Sequence, residues 1–135
     1  MDLAAVMDQV GDQLDGIAGL RVFRYPPDHL VPPAAIVSYP DTLTFDENYR
    51  RGADRLTLPV VLVVGRVSDR ASRDRLAGYC RGSGSGSVKA VIEAGSYTAC
   101  DSVRVVQIEF DAVAIAAVDY IAAMFDLDVI GRGVT

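Results

Sequence analysis

Histidine and lysine are almost absent: His29 and Lys89 are the single examples in 135 residues, and cysteine occurs only as Cys80 and Cys100. A zinc site would need His29, both cysteines and a carboxylate, with no ligand spacing to support it, so no metal site is expected. No Cys-x-x-Cys occurs, and the two thiols read as reduced, partly buried small apolar residues. Long apolar runs are missing as well. Gly, Pro or a charge interrupts each one short of the ~20 residues of a membrane span, so no membrane insertion is expected. The first residues lack a basic n-region, which reads as a chain made and kept in a cytoplasm. Net positive charge is also lacking: the balance is −5, with a pI near 4.7. General nucleic-acid binders draw their affinity from Lys and Arg on phosphates, so that class is disfavoured.

What is present is a globular composition. Half of the residues are hydrophobic and 23% are charged, which excludes intrinsic disorder. The length suits one domain, 1–135, with enough buried surface to fold without staples. Residues 2–16 have an amphipathic period: Leu3, Val6, Met7, Val10, Leu14 and Ile17 face one way, and Asp8, Asp12 and Asp15 the other. Strands are expected at 20–25 and 34–39, joined by a proline-rich connector. The strongest strand is 56–66, apolar on both faces at its centre, with Pro59 marking a bulge or an edge. Ser68 or Asp69 caps a helix running to 81, and Ser87 caps a short one over 88–94. Strands follow at 101–111 and 120–130. In the first, Val106, Ile108 and Phe110 alternate with Gln107 and Glu109; in the second, Asp126 and Asp128 lie opposite an apolar face. The expected order is α-β-β-β-α-α-β-β: an α+β domain with a mostly antiparallel sheet and helices packed on one face.

Catalytic motifs fail on inspection. The glycine-serine run at 82–87 lacks phosphate-loop spacing, because Lys89 comes one residue late. The same run spells a nucleophile elbow, but no strand precedes it and His29 has no orienting acid. The pairs Asp12/Asp15 and Asp126/Asp128 read as solvated faces rather than acid–base machinery. The cluster that stands out is Phe45, Tyr49, Arg50 and Arg51, on a polar loop or hairpin arm at about 41–54. Aromatics and arginine are the residue types of binding hot spots, so these four are the candidate interface residues, the competing reading being a loop whose aromatics fold back onto the core.

Several stretches together carry a resemblance: LRVFRYPP at 20–27, PAAIVSYP at 33–40, the arm with Tyr49, LPVVLVV at 58–64, SDRASRDRL at 68–76, GSGSVKA at 84–90 and DYIAAMFDLDV at 119–129. In this pattern the chain resembles the tail terminator proteins of phages with long non-contractile tails (siphophages), in the version carried by phages of GC-rich actinobacterial hosts. The resemblance implies a structural protein of the virion, sited at the head-proximal end of the tail. It implies a ring, commonly hexameric, that caps the tail tube, stops its polymerisation and offers a docking surface to the head connector. The implied partners are other copies of the chain, the major tail tube protein, the head-completion or connector protein, and the tape measure protein, with DNA only passing through the lumen. It implies neither a catalytic residue nor a cofactor. A head-completion or neck connector protein of the head–tail interface is the competing reading.

Overall fold

A computed structural model describes residues 2–25, 31–45, 53–115 and 117–131. The element order is α1 (Leu3–Leu14), β1 (Arg21–Phe23), β2 (Ala34–Val37), β3 (Thr42–Thr44), β4 (Asp54–Arg66), α2 (Arg70–Tyr79), α3 (Val88–Glu93), β5 (Ser102–Ile115) and β6 (Val118–Gly131). Six strands form one mixed sheet, ordered β1-β2-β4-β6-β5, with β3 pairing on β4 beside β2. Only β1 and β2 run parallel; every other pair is antiparallel. The α+β reading therefore holds. Strand β3 is additional to the expected order: it turns the start of the 41–54 arm into a sheet element against β4.

Alternation along the strands sorts the sheet into two faces. Leu56, Leu58, Val60 and Leu62 of β4 join Ala123, Phe125, Leu127 and Val129 of β6 and Val103 and Val105 of β5 in one buried core. Helix α1 adds Val6, Val10 and Leu14 to that core, α3 adds Val88 and Ile92, and Leu76 and Tyr79 of α2 pack against it. All three helices thus cover a single face. The expected inward stripe of α1 is the buried one, and Asp2 caps it by accepting from the Ala5 amide. Asp69 caps α2 through the Ala71 amide, and Ser87 caps α3 through the Ala90 amide.

Pro59 marks neither a bulge nor an outer edge strand. Its carbonyl accepts from the Ser38 amide (3.1 Å), so its backbone faces the gap where β2 ends and β3 begins. A missing N–H costs little there, because the ladder to the neighbouring chain is interrupted between the Val37–Val60 and Thr42–Thr57 pairs. The bulge in β4 falls at Val64, whose side chain is fully buried in the core. A second bulge at Val106 corrects the expected alternation of β5. Val103 and Val105 point into the core, Val106 is the extra residue and is exposed, and the inward series resumes at Ile108. The strands of the last hairpin also run further than expected, to Ile115 and from Val118.

Candidate interaction surfaces

The second face of the sheet carries no helix among the described residues. Register partners share a face, so its side chains line up in rows across the strands. One row runs Phe23, Ile36, Val61, Met124, Glu109. The next runs Arg21, Ala34, Val63, Ala122, Asp111, of which Ala34, Val63 and Ala122 are buried. The centre of this open face is therefore apolar, and its β5 side ends in two carboxylates. Val61, Val113, Ala122 and Met124, with Glu109, Asp111 and Phe110, enclose a depression of about 300 Å³. The Phe110 side chain, 61% exposed, belongs to the helix-bearing face, since its register partner is Ala123 of the core.

Further along the same face, polar groups are matched internally. Asp126 is only 8% exposed and accepts from Gln107 Nε2 at 2.7 Å. Asp128 pairs with Arg55 at 3.2 Å. The solvated face expected for these two aspartates thus needs correction: both lie opposite the core as expected, but one is buried and both are engaged. The acidic side of α1 is engaged in the same way. Arg24 lies across Gly11, whose missing side chain leaves room for the arginine stem, and reaches Asp12 at 2.5 Å and Asp15 at 2.7 Å.

Strand β5 is the sheet edge, and part of it is guarded. The Glu93 carboxylate accepts from the Val105 amide (2.9 Å) and from Lys89 Nζ (2.6 Å). These bonds hold the Glu93 carboxyl below the usual range, the Lys89 contact most strongly and against some desolvation. Asp111 caps the Ala112 amide at 2.8 Å. With Val106 bulged between them, β5 lacks the long flat run of free amides that adding another strand requires.

On the helical side, α2 carries Arg70, Arg73 and Arg75, with Arg81 just past its end, all exposed; Arg70 stands opposite the inward Ser72, Leu76 and Tyr79, with Arg73 and Asp74 one turn further along. Arg73 makes one exposed contact to Asp74 at 3.3 Å. Arg70 stands at the first helical position, where the helix dipole disfavours a cation, so helix stability does not explain it.

Of the four candidate interface residues, Phe45 follows β3 and is 68% exposed. Tyr49, Arg50 and Arg51 lie outside the described residues, as does His29. The structure therefore places one of the four. Sequence reading missed the open face and the arginine stripe. The arginines at 70, 73 and 81 were legible as a charged helix face; the row across five strands was not, because it exists only once register is set.

Cys80 and Cys100 are both free. Burial pushes the Cys80 thiol up; burial, with Asp101 nearby, pushes that of Cys100 up to about 11, so neither is activated as a thiolate. Among the described residues, no cluster of three His, Cys, Asp or Glu could hold a metal ion, and no helix is long and apolar enough to cross a membrane. Comparison with protein-family models and with curated proteins finds no match for this chain.

Proposed function

We propose that this chain is a tail terminator: a ring-forming virion protein, with six copies, that caps the head-proximal end of a long non-contractile phage tail. In this reading it stops tube polymerisation and gives the head connector its docking surface. It is not an enzyme and takes no cofactor. Beside the sequence resemblance, the observation that carries the reading is the two-sided build of the domain. Helices cover one face of the sheet, while the other carries no helix among the described residues and exposes Met124, Val113, Glu109 and Asp111 toward its β5 side. A ring requires two different patches on each subunit, and a domain with one helical side and one open side supplies them.

Charge agrees with the role. Six copies at −5 each would total about −30, and an acidic conduit does not hold DNA. The carboxylates that first suggest themselves as lumen wall are largely spent, since Asp12 and Asp15 serve Arg24 and Asp128 serves Arg55.

Native mass spectrometry over a concentration series, alone and with the tail tube protein from the same genome, tests the proposal. A six-fold species is expected, preformed or appearing with tube protein. A chain that stays monomeric and ignores tube protein overturns the reading in favour of a neck connector that rings the DNA path from the portal side.

A further inference from the structure

Resting on the ring reading, we infer that the contact between neighbouring subunits sets the arginine stripe of α2 in one copy against the open sheet face of the next, at Glu109 and Asp111. Three observations carry this. The open face has an apolar centre that ends in two carboxylates, neither of which forms an ion pair among the described residues. The helical side bears exposed arginines where helix stability would favour acids. These two patches lie on opposite sides of one domain, so each copy offers one to each neighbour and the contact is head-to-tail. The depression beside Met124 and Val113 would take the aliphatic stems of the arginines while their guanidinium groups meet the carboxylates.

The occupant is a second copy and not an added strand, because the Val106 bulge and the carboxylates on the Val105 and Ala112 amides guard the β5 edge. Other charges on the open face do not compete: Arg55 is engaged with Asp128, and Arg21, Arg66 and Arg104, the register partner of Asp128, form no ion pair with Glu109 or Asp111 among the described residues.

Two charge-reversed variants test the contact. One is Glu109→Arg with Asp111→Arg; the other is Arg70→Glu with Arg73→Glu. The second places acids in the first turn of α2, which the helix dipole favours, so its fold should be retained, and melting curves check both. Each variant alone should need a concentration about tenfold or more higher than wild type to assemble. Mixed in equal amounts they should assemble again, since each reversed stripe then meets a reversed face. The two must alternate around the ring, so native mass spectra should show equal numbers of each and only even totals.

Wild-type rings with variants that assemble equally well alone would overturn the contact and leave the ring reading standing. Folded variants that fail alone and fail when mixed would also overturn it. Wild type that never assembles, with or without tube protein, overturns both. If Arg70→Glu with Arg73→Glu assembles normally but loses binding to a duplex DNA probe, the stripe is a phosphate contact and the inference fails.

Discussion

Glu93 shows how much one side chain joins. It ends α3, receives Lys89 one turn earlier, and accepts the Val105 amide beside the β5 bulge, so a single carboxylate pins helix to strand. Because the folded carboxyl titrates lower than in the unfolded chain, where it titrates near about 4.3, its contribution is complete above that value. The contribution is lost as pH falls through the folded value. Glu93→Gln should therefore lower stability at pH 7 by about 1–2 kcal/mol. The difference from wild type should shrink on acidification, and urea unfolding at pH 7 and in the acid range reads both. A deficit unchanged by pH would mean that shape, not charge, holds the contact. Gln9 ties α1 to the other end of the same region: its side chain bonds Thr98 and accepts from the Thr98 and Ala99 amides. Glutamine at 9 reads as one more polar position on a helix; only the meeting of α1 with residues 98 and 99 makes it a clamp.

Among the elements, β4 and β6 organise the rest, and the bulge at Val64 shows how. One extra residue lets Val64 fill the core and brings Gly65 under α2, where buried Ser72 packs directly against its backbone. A β-carbon at 65 would run into the Ser72 side chain. Gly65→Val should cost about 1–3 kcal/mol by forcing α2 off the sheet. Hydrogen exchange should localise the loosening to α2 and leave the β4–β6 ladder protected; uniform loss of protection would contradict this. The sequence marks Gly65 only as a glycine near a strand end. Its partner lies on another element, so periodicity within β4 does not reveal the approach.

For the whole molecule, the decisive feature is asymmetry. Among the described residues the helices are all on one side and no helix covers the other, and an exposed aromatic at Phe45 follows β3. If the arm serves assembly rather than the fold, Tyr49→Ala with Arg50→Ala should weaken ring or tube contacts while the melting temperature stays within a few degrees of wild type. A melting temperature that falls sharply while assembly survives would instead assign the arm to the fold. This variant and the charge-reversed pairs change different residues, so together they separate contacts that depend on the arm from those that depend on the charged patches.

The sequence by itself determined the α+β class, the inward stripe of α1, the caps at Asp2 and Ser87, a cap at Ser68 or Asp69 that the structure gives to Asp69, and the apolar face of β6. Each rests on a short-range period or a local hydrogen bond, and short-range periods are written in consecutive residues. Only the tertiary structure decided that β3 pairs with β4, that bulges shift the register at Val64 and Val106, and that Asp126 is buried on Gln107. It also decided that one sheet face carries no helix among the described residues, with Glu109 and Asp111 at its margin, opposite the face that α2 covers. Those features depend on which strands lie side by side and in what register, and that choice is made by burial summed across the sheet rather than within any one strand.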